Sequence, residues 1–163
     1  MSRVARKKNR RIPDPGLELD VSYAARRPWV PRPAEFERWA SAALARSPRR
    51  VALSIRVVGA AASRSLNLGY RHRPKPTNVL SFAGAGRMPD RRLHLGELVI
   101  CAPVVAREAR AGRLPARAHW AHLTVHGVLH LRGFDHERDD EARAMMAREV
   151  QILDRLGFSN PYP

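Results

Sequence analysis

Histidines are concentrated in the C-terminal half of the chain, where six of the seven lie between His94 and His136. His126 and His130 are four residues apart, so on a helix they project from one face, one turn apart. Gly133 follows, and glycine readily ends a helix because it accepts the left-handed conformation. The chain can then turn back and bring His136 to the same point. Three neutral imidazoles and one open position are typical of a catalytic zinc ion.

Two further histidines, His119 and His122, precede this string. His122 shares a helical face with His126 and His130, so it is an alternative ligand or a residue that lines the site. The other interpretation is that His119 and His122 pack and form hydrogen bonds between helices, and this is the one we expect.

The histidine spacing also matches that of zinc peptidases, H-x-x-x-H-x-x-G-x-x-H. Those enzymes carry a glutamate directly after the first histidine, where it acts as the general base. This sequence has Gly127 at that position, and glycine has no side chain. A metal-dependent peptidase or other hydrolase therefore remains only an alternative.

The chain is strongly basic, with a net charge of +15 and an isoelectric point near 11.6. No Asp or Glu occurs from Arg38 through Pro89. The basic residues within that stretch include Arg46, Arg49, Arg50, Arg56, Arg64, Arg71, Arg73, Lys75 and Arg87. This distribution favours a phosphate-binding surface, since charge of this size indicates the class of partner. An arginine-rich composition with solvated faces is the alternative.

The length of 163 residues is ordinary for one domain. We expect a disordered basic tail over residues 1–14 and a single domain over 15–163. The one cysteine, Cys101, excludes an internal disulfide and a zinc site built on cysteines. No apolar run approaches the roughly 20 residues needed to span a bilayer, and no apolar segment follows the basic N-terminus as in a secretory signal. We therefore expect a cytoplasmic protein with no membrane partner.

Hydrophobic periodicity predicts an α/β (α+β) fold, with a single small, mostly four-stranded sheet packed with about five helices. Strands are predicted at 17–23, 51–57, 77–82 and 93–101. Helices are predicted from Pro33 to about Ser47, and at 60–70, 103–111, 115–131 and 139–156. A flexible loop is expected from Gly84 to Arg91.

Several stretches resemble the YbeY family of bacterial endoribonucleases. Residues 126–136 match the family signature H-G-x-L-H-L-x-G-[YF]-D-H at every fixed position. The likeness extends to LNLGYR at 66–71, KPTNVLSF at 75–82 and HWAH at 119–122. It also includes LGELVI at 95–100, where Asp is more usual than Glu97. In all, it runs from about Val51 to Tyr162.

The resemblance implies a zincin-like site with one Zn²⁺ per chain, bound by His126, His130 and His136. It implies that Arg71, in the cleft, and the ligand His126 take part in catalysis. The implied reaction is metal-dependent cleavage of single-stranded RNA, in 3′-end maturation of small-subunit (16S) ribosomal RNA and in late-stage ribosome quality control. The implied partners are rRNA, a small-subunit ribosomal protein and a ribosome-associated GTPase.

Some questions stay open at this point. The nucleophile is either a water at the metal or the 2′-hydroxyl of the RNA, and in either case Arg71 is suited to bind the phosphate with two hydrogen bonds. Glu97 is either a proton acceptor in the cleft or a polar strand residue. Tyr70 and Phe82 either stack on bases or, in particular for Phe82, pack in the core. Asp135 either orients an imidazole or caps a turn. A non-catalytic RNA-binding assembly factor with structural zinc is the remaining alternative.

Overall fold

The computed structural model describes residues 16–44, 50–135 and 137–163. The strands are β1 (Leu17–Tyr23), β2 (Val51–Val58), β3 (Val79–Arg87) and β4 (Leu93–Cys101). The helices are α1 (Pro33–Leu44), α2 (Ala60–Arg71), α3 (Ala102–Ala111), α4 (Ala116–Leu131) and α5 (Asp139–Arg155). The predicted four-stranded sheet and five helices are thus confirmed within the described residues. No helix among those residues is long and apolar enough to cross a membrane. The predicted tail, residues 1–14, lies outside them, as does the expected end of the first helix near Ser47.

The four strands form one sheet in the order β1-β2-β4-β3. β1, β2 and β4 are parallel, and α1 provides the crossover that a parallel connection from β1 to β2 requires. β3 runs antiparallel to β4 and lies at an edge. In β2 the alternate residues Val51, Leu53, Ile55 and Val57 are all buried, as the predicted period of two requires.

One face of the sheet carries the main hydrophobic core, which is formed with α1, α4 and α5. Phe36 of α1 contacts two buried indoles edge to face, Trp39 at 5.8 Å and Trp120 of α4 at 5.9 Å between ring centroids. Met145 and Ile152 of α5 complete this layer. The core therefore fixes α4 between the sheet and two other helices.

The opposite face of the sheet packs against α2 and α3. Leu80 of β3 and Val99 and Cys101 of β4 contact Leu66 of α2 and Val104 of α3. Cys101 is fully buried there, as a small apolar residue. The two faces thus carry separate apolar clusters, and α2 and α4 lie on opposite sides of the sheet.

β3 is longer than the sequence analysis predicts. It continues to Arg87 rather than ending at Phe82, so the expected loop over 84–91 is wrong for its first half. A Cβ atom at Gly84 would lie 2.4 Å from the carbonyl oxygen of His94 on β4. The glycine is therefore needed for close approach of the two strands and does not mark a flexible loop.

Candidate functional site

Helix α4 presents four histidines along one stripe. His119, His122, His126 and His130 follow one another at intervals of three or four residues, which keeps them on one side of the helix. The exposed fraction of the side chain rises from 11% at His119 to 15% at His122 and 31% at His126. The stripe therefore opens towards the C-terminal half of α4, where two of the three predicted ligands lie.

Gly127 packs closely against the sheet. A Cβ atom there would lie 2.7 Å from Cδ2 of Leu98, which is fully buried on β4. Interiors are close-packed, so even one added carbon forces neighbouring side chains to move. The position that holds the general base in zinc peptidases is thus in close contact with Leu98 in this chain, and a side chain there would require Leu98 to move.

The carboxylate of Glu149 holds two members of the histidine stripe. Glu149 lies on α5 and is fully buried. Its Oε1 accepts a hydrogen bond from Nδ1 of His126 at 2.5 Å, and its Oε2 lies 3.1 Å from Nε2 of His122. The hydroxyl of Tyr162, near the C-terminus, also donates to Oε2. One buried carboxylate therefore links α4, α5 and the C-terminal segment.

This network keeps Glu149 ionised. Burial alone would raise the pKa of its carboxyl, but hydrogen bonds from His122, His126 and Tyr162 outweigh burial and lower the pKa to about 2. Burial and the hydrogen bond to this carboxylate raise the pKa of the Tyr162 phenol. An ionised carboxylate only accepts hydrogen bonds, so His126 must carry its proton on Nδ1. In the neutral imidazole the lone pair able to bind a metal is then on Nε2.

A second carboxylate holds the first histidine of the stripe. Nε2 of His119 donates to Oε2 of Glu108 on α3 at 2.7 Å, and Nδ2 of Asn78 donates to the same carboxylate. The hydrogen bond from His119 is the main reason why the pKa of Glu108 is lowered. His119 and His122 thus form hydrogen bonds between helices, as we expected for them.

The structure brings together two of the three predicted metal ligands, His126 and His130, one turn apart on α4. The helix ends at Leu131 and Gly133 has a φ of 97°, which confirms the predicted helix end. His136 lies outside the described residues. Within the described residues no three potential ligands converge. The donor chemistry nevertheless fits zinc, because metal-binding histidines commonly donate their second ring N–H to a carboxylate, as His126 does.

Arg71, the predicted phosphate-binding residue, is exposed at the C-terminal end of α2. His72 then adopts the left-handed conformation and its N–H donates to the carbonyl of Leu68.

Two buried polar side chains of α2 hold the loop that follows Arg71. Asn67 donates to the carbonyl of Lys75, and Ser63 exchanges hydrogen bonds with the backbone of Thr77.

Most cations of the acid-free stretch have no carboxylate partner in the part of the chain that the structure describes. Arg56 is paired with Glu97, whereas seven other described members form no ion pair with a described carboxylate. These seven are Arg38, Arg50, Arg64, Arg71, Arg73, Lys75 and Arg87. Their charge is therefore not neutralised within the described protein, as a surface for a polyanion requires.

Glu97 does not face the histidine stripe. Its neighbour Leu98 points at Gly127 of α4, and adjacent residues of a strand point to opposite faces. Oε1 of Glu97 lies 3.0 Å from Nη2 of Arg56 on that opposite face. Of the two interpretations of Glu97, the structure supports the polar strand residue.

Comparisons with known proteins agree with this architecture. Residues 30–157 match the family model described as Endoribonuclease YbeY. A curated Endoribonuclease YbeY of Alkalilimnicola ehrlichii is 52% identical over 154 residues, which cover 91% of this chain and 92% of the relative.

The chain belongs to the YbeY family. The resemblance seen in the sequence is therefore confirmed. A Thermotoga maritima protein of known solution structure has a TM-score of 0.52 and 17% sequence identity, over 89% of this chain and 99% of that one. At that identity the likeness shows the fold alone.

Sequence reasoning missed the carboxylates that hold the histidines of this YbeY family member. A signal for Glu149 is present, because it shares the core-facing side of α5 with Met145 and Ile152, and an acid at such a position indicates a buried, paired charge. Glu108 is partly exposed and has no such signal. Tyr162 follows the last helix, where no periodicity marks it as buried.

The role of Glu149 is tested by Glu149→Gln. The amide keeps the size of the side chain but cannot accept from His122, His126 and Tyr162 together. We expect zinc affinity to fall about 10- to 100-fold, the usual effect of losing a partner of a metal-binding histidine. The free energy of unfolding should fall by about 1–3 kcal/mol, since a buried donor loses its acceptor.

Chelator competition measures the first quantity and urea denaturation the second. Asp154→Asn, an exposed change on the same helix, is the matched control and should leave both unchanged. Parent-like zinc affinity in Glu149→Gln would show that the carboxylate does not support a metal ligand.

Proposed function

We propose that this protein is a zinc-dependent endoribonuclease specific for single-stranded RNA, with one zinc ion per chain bound by His126, His130 and His136. The observation that carries the proposal is the contact between Nδ1 of His126 and the buried carboxylate of Glu149. A carboxylate in this position fixes the ring orientation and the tautomer that metal binding needs. His130 lies one turn further along the same stripe.

RNA is the substrate that the charge of the chain supports. The net charge is +15, and the cations of residues 50–87, apart from Arg56, lack ion-pair partners among the described carboxylates. The Alkalilimnicola relative carries the name Endoribonuclease YbeY, which supports a phosphodiester hydrolase. A peptide substrate is disfavoured because Gly127 stands where zinc peptidases carry their general base, and glycine has no side chain.

The side chains of this chain have distinct roles in the proposed reaction. When bound, a zinc ion supplies Lewis acidity towards the phosphate and its nucleophile. Glu149 orients His126 and keeps the proton of that imidazole on Nδ1. Arg71 binds the phosphate through its planar guanidinium and stabilises the negative charge that develops there.

The biological setting that we propose follows from family membership. It is maturation of the 3′ end of small-subunit ribosomal RNA and late-stage quality control of the ribosome, in the cytoplasm. The proposed partners are a small-subunit ribosomal protein and a ribosome-associated GTPase. A purely RNA-binding assembly factor with structural zinc is the competing function, and the next experiment separates the two.

Metal removal tests the reaction directly. We expect the zinc-loaded protein to cut single-stranded RNA, the chelated protein to be inactive, and one equivalent of zinc to restore cleavage. Zinc should not restore cleavage to His130→Ala, because the two imidazoles that remain are too few to hold the zinc ion. His119→Gln should retain zinc, since Nε2 of His119 is bonded to Glu108.

Gel assays on matched single- and double-stranded substrates, with circular dichroism to verify folding, measure these outcomes. Folded, zinc-loaded protein that binds RNA without cutting it would favour the assembly factor. Undiminished cleavage after complete metal removal would exclude zinc dependence.

Arg71→Ala tests the phosphate contact. We expect the variant to keep its zinc and its fold but to lose about 10²–10³ in turnover, the usual effect of removing one transition-state donor. Arg71→Lys should recover activity only in part, because an ammonium cannot make the two-point contact. Single-turnover cleavage, with enzyme in saturating excess over the RNA, measures the loss.

Arg87→Ala is the control, since Arg87 is an exposed arginine of the same acid-free stretch. Its loss should weaken binding, most at low salt, reduce the salt dependence of binding and leave turnover unchanged. Parent-like turnover in Arg71→Ala would make Arg71 part of the electrostatic surface only.

A further inference from the structure

A groove of about 270 Å³ lies on the sheet face opposite to α4. We call it the aromatic groove, and its lining residues are Arg56, Leu66, Tyr70, Phe82 and Glu97. Arg56 and Glu97 come from adjacent strands, Phe82 from the edge strand β3, and Leu66 and Tyr70 from one face of α2. None of these residues belongs to the histidine stripe.

Two aromatic rings form one side of this groove. Tyr70 and Phe82 contact each other with ring centroids 4.7 Å apart and planes inclined at 64°. Phe82 packs against the small apolar cluster of this face, which fixes the pair in place. Tyr70 is nevertheless 66% exposed, the most exposed of the large hydrophobic residues in the described chain. An aromatic side chain held in place and open to solvent offers a surface on which an unpaired base can stack.

The polar side of the aromatic groove fits a base better than a phosphate. Nε and Nη2 of Arg56 both contact Oε1 of Glu97, so the arginine charge is largely neutralised by the carboxylate. A carboxylate repels phosphate, whereas it accepts hydrogen bonds from the amino and ring N–H groups of bases. A neutralised ion pair beside two rings is therefore complementary to the edge and face of a base.

The surroundings of the aromatic groove fit the backbone of the same strand. α2 and the loop after it carry Arg64, Arg71, Arg73 and Lys75, none of them paired with a described carboxylate. Tyr70 directly precedes Arg71, the proposed phosphate-binding residue. Proteins that bind single strands commonly combine such cations with stacking aromatic residues.

We propose that the aromatic groove binds one unpaired base of the RNA strand, stacked on Tyr70 and read at its edge by Glu97 and Arg56. This subsite rests on the proposed function, because it needs a single-stranded RNA substrate. It would favour unpaired over paired RNA, since a base within a duplex cannot enter the groove.

The test compares RNA binding by the parent, Tyr70→Ala, Tyr70→Phe and the control Leu68→Ala. Leu68 is an apolar residue of the same helix, 49% exposed and outside the groove. Fluorescence anisotropy with a 2′-O-methylated single strand, verified intact after each titration, gives the dissociation constants. Tyr70→Ala should weaken binding about 5- to 150-fold, the range for loss of one base–aromatic stack. Tyr70→Phe and Leu68→Ala should stay within about twofold of the parent.

A second set of strands, each with one abasic position, identifies the partner of Tyr70. In the parent, one position should cost affinity when its base is removed. In Tyr70→Ala, removal of the same base should cost almost nothing more, because the interaction is already lost.

Parent-like affinity of Tyr70→Ala, or losses that simply add at every position, would overturn the subsite. If the parent binds and cuts RNA in that case, the proposed function survives alone. If the parent itself does not bind the strand, both proposals fall.

Discussion

The buried carboxylate of Glu149 is the interaction on which the candidate site depends. It is removed from solvent on α5 and holds His122 and His126 of α4 together with Tyr162. A buried charge is costly unless its hydrogen-bonding capacity is satisfied, so loss of any of these partners would lower the stability of the fold. The constraint also works in the other direction, because the carboxylate dictates the tautomer of His126. Stability and readiness for a metal thus come from the same contacts.

Helix α4 has an apolar side that packs in the core and a histidine side that forms hydrogen bonds. Its apolar side closes the core, and Gly127 lets its backbone approach Leu98 of the sheet. Its histidine side meets carboxylates from α3 and α5, with Glu108 at one end and Glu149 further along. A helix fixed on the sheet side by packing and on the other by hydrogen bonds cannot rotate without breaking both. The positions of the histidines relative to one another and to the sheet are therefore fixed.

Local patterns in the sequence predicted the histidine helix and its end. The features that the sequence analysis missed depend on contacts between residues far apart in the chain. The four-residue spacing of His126 and His130 and the helix end at Gly133 are local, and both hold. The extension of β3 through Gly84 was missed because that glycine is explained by a backbone ten residues away. Glu149 is 23 residues from His126, so only the fold shows that they touch. The direction of Glu97 likewise depends on which strand face α4 covers.

X-ray absorption at the zinc edge of protein loaded with one equivalent of zinc tests the central claim most directly. The account predicts tight binding of one ion, with three imidazole nitrogens at about 2.0–2.1 Å and one exchangeable oxygen ligand. It also predicts that the nitrogen count falls in His126→Ala. A protein that leaves the ion in solution, or one that encloses it with four protein ligands and no exchangeable position, would contradict a catalytic metal on this helix.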